Sequence, residues 1–253
     1  MREELVHITI RLTSHLSGDI IRLAVEQLST DERARHDRIM VEADRRECAV
    51  AHALLRQCLS AVGDRAPHEW KFKLGHHGKP MLEQKPGRAP LSFNLTHTRG
   101  LVACVVTRNA DVGIDAETLD RCTDPLDPEC FLSSMEIPTL TRGGSPHVRF
   151  LEIWTLKEAY LKASGEGLTL PLDKFAFLLD ESTGMSFEPA RLLASHAWCF
   201  ALLSVSDRYR VAVAVRSEPG ALHRLIIHSD PPMAAAVQIR MWNNNGEIER
   251  ESN

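Results

Sequence analysis

A helical run followed by a β-hairpin occurs twice in this chain, over residues 43–107 and again over 148–215, and this recurrence constrains the fold more than any other feature. In the first copy Cys48, Ala51, Leu54, Leu55 and Leu59 recur at helical spacing from about Ala43 to Ala61 and form an apolar stripe, which Gly63-Asp64 ends. Leu91–Thr96 and Leu101–Thr107 are β-rich runs parted by a turn at Arg99-Gly100. In the second copy an amphipathic helix over Val148–Ser164 closes at Gly165 and Gly167, and Trp198–Val205 and Tyr209–Val215 supply the strands. LSFNLTHTRGLVACVVT and WCFALLSVSDRYRVAVAVR share this order of elements but no sequence identity. On the order alone, two similar α+β halves flanking a cleft and a chance recurrence are equally good accounts; a cleft between lobes is where ligands tend to bind.

The remaining elements fill in around these. Residues 5–12 alternate like a strand, and a helix begins at Ser29 with Asp31 and Glu32 in its first turn. Glu69–Leu74, Val112–Glu117 and Phe175–Leu179 read as strands, with Leu222–Ile227 a weaker one. Gly75–Gly78 and Lys85–Pro90 read as loops. Thr118–Pro146 is polar, holds at most one or two short helices, and has the look of a mobile region. The resulting division is an N-terminal half over 1–117, a C-terminal half over 118–230, and a flexible tail over 231–253 marked by an Asn-Asn-Asn run.

Composition removes several classes of function. A net charge of −4 gives no global basic signature, so nucleic acid is not expected as a partner and any anion site must come from local basic residues. No apolar run approaches the ~20 residues that span a bilayer, and MREELVHITIRL lacks the apolar core of a signal peptide. A cytoplasmic protein without membrane association is the expectation. The six cysteines, Cys48, Cys58, Cys104, Cys122, Cys130 and Cys199, show no C-x-x-C spacing and read as free thiols.

Four short constellations carry chemistry. Asp115 and Glu117 of Gly113-Ile114-Asp115-Ala116-Glu117 lie two apart in a strand, so their carboxylates share a face and are close enough to share one cation. By itself the pair reads equally as a solvated strand end. On the helix, Trp154, Glu158, Leu161 and Lys162 share a broad face. A Glu158–Lys162 surface ion pair would be worth ~0.3–0.5 kcal/mol, but Trp154 and Leu161 turn this face inward, where an acid and a base need a partner or ligand. A third carboxylate facing the first two would suit Mg²⁺, a hard cation that takes oxygen ligands. Thr96-His97-Thr98 offers hydroxyls and an imidazole at a strand end, and Gly78-Lys79-Pro80 a fixed turn bearing a charge. There is no G-x-x-x-x-G-K-[ST] phosphate loop. Arg33, Arg35, Arg38, Arg45, Arg46 and Arg56 read as a solvated helix face, with an anion-binding subset as the second reading.

The order GKP, FNLTHT, GIDAE, WTLKEAYLKASGEGL resembles that of the surfactin-type 4′-phosphopantetheinyl transferases, the W-x-x-KEA subgroup, whose pattern is G-K-P, F-N-x-S-H-S, G-I-D-x-E, W-x-x-K-E-A-x-x-K-x-x-G-x-G-L. The likeness covers roughly residues 29–215, and its last two motifs are the most specific. It implies two pseudosymmetric α+β halves in one chain, a monomer, and a cleft for coenzyme A and Mg²⁺ (Mn²⁺ as a substitute) across which an apo acyl or peptidyl carrier protein docks. By the resemblance, Asp115, Glu117 and Glu158 hold the metal; His97, with Thr96, contacts the 3′-phosphate of coenzyme A; Lys79 and Pro80 wall the adenine; and Lys162 approaches the pyrophosphate. Thr96 and Thr98 replace serines and keep the hydroxyl. Glu47 stands where the family's best-known member has a basic 3′-phosphate contact, so that role moves to Arg46 or Arg45, with Arg33 and Arg35 as weaker candidates. The implied reaction is attack of a carrier serine on the β-phosphorus of coenzyme A with loss of 3′,5′-ADP, Glu158, directly or through a metal-bound water, accepting the serine proton and Lys162 stabilising the leaving phosphate; Asp115 completes the catalytic set. A metal-dependent phosphohydrolase using the same acids, or a non-catalytic module that binds coenzyme A or a carrier protein, are the alternatives. Which carrier is served is not readable, and docking specificity is assigned to Thr118–Pro146.

Overall fold

The computed structural model describes residues 3–75, 78–83, 90–120, 128–142, 144–180, 184–189, 196–219, 221–230, 237–243 and 250–252. Residues 76–77 of the expected loop Gly75–Gly78, residues 85–89 of the expected loop Lys85–Pro90, and Cys122 lie outside them. In chain order the elements are β1 (Glu3–Leu12), α1 (Gly18–Glu26), α2 (Thr30–His36), α3 (Glu42–Val62), β2 (Phe72–Leu74), β3 (Pro80–Leu82), β4 (Leu91–Thr98), β5 (Leu101–Arg108), β6 (Asp111–Thr118), α4 (Pro146–Ser164), β7 (Ala176–Asp180), β8 (Gly184–Glu188), β9 (Ala197–Val205), β10 (Tyr209–Ser217), β11 (Leu222–Asp230), β12 (Val237–Asn243) and β13 (Arg250–Ser252). Between β6 and α4 the described residues hold only two short 3₁₀ turns, at Pro128–Cys130 and Ile137–Thr139.

The fold is α+β. One sheet runs β13-β11-β1-β5-β4 and a second runs β12-β9-β10-β6. Alternation decides how they meet. Val6, Ile8 and Ile10 of β1 and Leu101, Ala103 and Val105 of β5 turn one face inward onto Val112, Ile114 and Ala116 of β6 and Val211, Val213 and Val215 of β10. The outer face of the first sheet (Val102, Cys104, Val106, Phe93) packs on α3, and the outer face of the second (Phe200, Leu202, Ala212, Ala214) packs on α4. Each half therefore carries one long helix outside a sheet that contains a hairpin, as the recurrence predicts. Capping agrees too: Ser29 and Glu32 exchange both bonds of a capping box at the start of α2.

Four features differ from the sequence reading. β6, placed in the first half, pairs with β10, while β11, placed in the second, pairs in parallel with β1. The halves are interlocked by exchanged strands, and non-local pairing of that kind leaves no local signal. The expected flexible tail contributes β12, antiparallel to β9, and β13, parallel to β11; in β12, Ile239 and Met241 pack against the inter-sheet core. Helix α4 is not amphipathic: Arg149–Ile153, Thr155–Lys157, Ala159–Leu161 and Ala163–Ser164 are all buried. Its second face is covered by Phe177, Leu179, Met185 and Phe187 of the β7–β8 hairpin and by Leu132. Finally Arg56 is not part of a solvated face; it is 3% exposed and bonds both oxygens of Glu32 at 2.9 and 3.1 Å.

Candidate active site

Strand β6 lies at the edge of its sheet, and its outer side must find partners for backbone groups that no strand satisfies. Side chains from the sequence motifs supply them. Asn94 on β4 accepts from the Ile114 N–H at 3.0 Å. Lys162 on α4 donates to the Ile114 carbonyl at 3.2 Å. Lys79 donates to the Val112 carbonyl at 3.4 Å and to the Lys162 carbonyl at 2.5 Å. Burial pushes the Lys79 ammonium pKa down, with Asp111 opposing and Arg216 adding to the fall. Three motifs distant in the chain thus converge because one strand edge needs them.

The strand's face does the rest. Gly113, Asp115 and Glu117 point toward α4. A Cβ on Gly113 would overlap the backbone of Ala159 and Ala163, so only glycine allows the helix to lie this close. That approach brings the second motif onto the first. Lys162 Nζ stands 2.6 Å from Asp115 Oδ1, Thr96 Oγ donates to the same oxygen at 3.4 Å, and Trp154 Nε1 donates to Glu117 Oε1 at 3.1 Å. Lys162 thus pairs with Asp115, an acid of another motif, rather than making only a surface pair with Glu158. Glu158 has its pKa raised by burial and then by the charges of Asp115 and Glu117, with Lys162 opposing. The three acids therefore share one electrostatic environment. Asp115 Oδ2 is buried and has no hydrogen-bond partner among the described residues.

A crevice of 290 Å³ opens over this edge, lined by Lys79, Pro80, Asn94, Glu158, Leu161 and Lys162 with Gly78, Gly165 and Gly167. A larger cleft of 740 Å³ shares the Lys79–Pro80 wall but runs to the opposite end of β6, at Asp111, away from the carboxylates. Glu158 and Lys162 line the smaller one.

The structure separates Thr96 from His97. Adjacent strand residues face opposite sides, so Thr96 turns to Asp115 while His97, half exposed, lies 4.0 Å from Glu47 on the α3 side. Glu47 is buried and accepts from the Gly100 N–H at 2.6 Å, fixing a hairpin turn whose glycine has φ +91°. Arg45 bonds Glu42 within its own helix turn, Arg46 is half-buried beside it, and Arg33 and Arg35 are exposed. Four contributors had no role assigned from sequence. Asn94 and Trp154 were visible as motif letters, and Gly113 as the glycine two residues before an acid. Lys157 was a motif letter too, but its burial was not legible: it is fully buried, 2.6 Å from Glu136, and donates to the Leu172 and Phe175 carbonyls. Among the described residues there is no group of three or more His, Cys, Asp or Glu that could hold a metal ion. Among the described residues no helix is long and apolar enough to cross a membrane.

Two family models match the chain: 4′-phosphopantetheinyl transferase, N-terminal, over residues 17–109, and the 4′-phosphopantetheinyl transferase superfamily over residues 111–214. The chain is 33% identical over 191 residues to the 4′-phosphopantetheinyl transferase HetI of Nostoc sp., covering 74% of this chain and 78% of that one. It is 28% identical over 221 residues to a phosphopantetheinyl transferase of Thraustochytrium sp., covering 81% and 76%. With the 4′-phosphopantetheinyl transferase Sfp of Bacillus subtilis it shares 27% identity over 192 residues, 74% and 81% of the two chains. Two interlocked halves, matched over residues 17–109 and 111–214 by transferase family models, make this a group-transfer enzyme. The chain belongs to the 4′-phosphopantetheinyl transferase family.

Proposed function

We propose that the chain moves the 4′-phosphopantetheine arm of coenzyme A onto a serine of an apo acyl or peptidyl carrier protein, with Mg²⁺ or Mn²⁺ bound and 3′,5′-ADP released. The observation that supports this reading is the ion pair of Lys162 with Asp115 at 2.6 Å, with Asp115 and Glu117 near enough to Glu158 for their charges to raise its pKa. A divalent cation would suit the residues present: burial and then the neighbouring acids raise the pKa of Glu158, and the buried Asp115 Oδ2 has no hydrogen-bond partner among the described residues. Asp115, Glu117 and Glu158 would hold the ion, which when bound supplies positive charge against pyrophosphate oxygens.

The chain's own groups do the rest. Thr96 and Trp154 orient Asp115 and Glu117. Glu158 accepts the proton as the serine Oγ–phosphorus bond forms; a raised carboxylate pKa moves a general base closer to its working pH. The bond from phosphorus to the 3′,5′-ADP oxygen breaks, and Lys162 stabilises the charge left there. Lys79 and Pro80 wall the adenine end, and His97 with Arg46 or Arg45 takes the 3′-phosphate.

Incubation with coenzyme A, Mg²⁺ and an apo carrier protein, followed by intact-mass measurement, tests the reading. The expected result is a gain of one phosphopantetheine arm on the carrier. Breakdown of coenzyme A without carrier modification would instead make the chain a phosphohydrolase, and binding without turnover would make it a module.

A further inference from the structure

A second set of charges gathers at the other end of α4. Glu152, almost wholly buried, accepts from Arg210 Nε at 3.1 Å, from Arg240 at 2.9 and 3.4 Å, and from Arg149 at 3.5 Å. These residues line a cavity of 410 Å³ together with Ser145, Gly144 and Asp180. Among the described residues that line the cavity, three guanidinium groups, of Arg149, Arg210 and Arg240, outnumber two carboxylates, Glu152 and Asp180. The Arg149 side chain is 6% exposed, yet its Nε has no acceptor among the described residues.

The helix adds to the imbalance. Ser145, the N-cap of α4, makes no side-chain cap bond, and the first turn carries no acid. The first N–H groups of a helix lack intrahelical acceptors and carry the positive end of its dipole. Both ends of this 19-residue dipole are therefore arranged for charge, with Lys162 in the last turn and arginines around the first.

We propose that this cavity is a second anion site, taking a doubly charged tetrahedral oxyanion: phosphate or a phosphate monoester. Forked guanidinium donors and helix N–H groups suit such an anion better than a single carboxylate. The site shares no lining residue with the crevice over β6. It is one strand away from it, since Arg210 is the direct cross-strand partner of Glu117.

Calorimetric titration with inorganic phosphate at constant ionic strength and without divalent metal tests the proposal, with phenyl phosphate as a second arm. Binding is expected to persist in Lys162→Met, which alters the crevice, and to weaken about tenfold in Arg240→Gln, which removes one charged donor pair. Arg240→Lys should restore part of it. Tighter binding of phenyl phosphate assigns a phosphorylated ligand, and tighter binding of phosphate assigns the free ion; either sustains the site. Affinity unchanged in Arg240→Gln, loss of binding in Lys162→Met, or an equal heat from chloride overturns it.

Discussion

Helices α3 and α4 occupy corresponding places on the two sheets, yet one acid beside each, Glu32 packed on α3 and Glu158 of α4, is treated in opposite ways. Glu32, held against α3, is opposed by burial, but hydrogen bonds from His52, the Ser29 amide and Arg56 hold it well below the usual carboxylate range. His52 answers in kind: burial works against its protonation, and hydrogen bonds to Cys48 and Glu32 nonetheless raise it to about 9. Glu158 on α4 has the reverse balance, with burial and two neighbouring acids raising its pKa and only Lys162 opposing. An acid supplied with cations stabilises the fold. An acid deprived of them marks a place where a positive charge is to arrive.

The sharpest way to break this contrast is a matched pair of substitutions. Glu158→Gln should lower carrier modification by about 10²–10⁴-fold, whereas Glu47→Gln, which keeps an acceptor for the Gly100 amide, should leave turnover of the same order. Equal losses would end the distinction between the helices. Next in size are the buried pairs. Lys157→Met strips its cation from Glu136 and should cost about 3–5 kcal/mol in urea unfolding, while Arg56→Met takes one cation from Glu32 but leaves His52 beside it, and should cost at the lower end of that range. A much smaller loss in either would show that its half does not depend on the pair.

Gly113→Ala pushes α4 off β6 and should cost about 1–3 kcal/mol, with turnover falling while coenzyme A still binds. Wild-type stability with wild-type turnover would mean the close approach is not needed. The smallest effect is a pH dependence. Because the folded-state pKa of Glu158 is raised, folding favours its protonated form. Its penalty is absent below the ordinary carboxylate pKa and grows as pH rises through the folded value. Glu158→Gln should therefore melt above wild type at neutral pH, and the gap should close on acidification. A gap that widens at low pH would contradict the direction of the shift.

Much of this was legible in the sequence, and the failures share a cause. Helices, hairpins and caps follow local periodicity, so α3, β4–β5 and the Ser29 cap could be read directly. The motif acids could be read as well, since Asp115 and Glu117 must share a face. Sheet membership could not, because the pairing of β6 with β10 and β11 with β1 is set by contacts remote in sequence. Helix α4 misled because periodicity assumes one wet side, and here a hairpin covers the second side. Thr96 and His97 were grouped by adjacency although strand geometry turns them apart. The alternation in Val237–Met241 was present but overlooked beside the asparagine run.

The position of β1 between β5 and β11 has a consequence for biogenesis. As the nascent chain leaves the ribosome, Glu3–Leu12 meets its first neighbour near residue 101 but its second only near residue 222. At ordinary translation speeds of about 5–20 residues per second, that leaves one side of an apolar strand open for roughly 6–24 s. Chaperone demand during synthesis should therefore concentrate on this strand, and a chain halted before residue 222 leaves the first sheet without its closing partner.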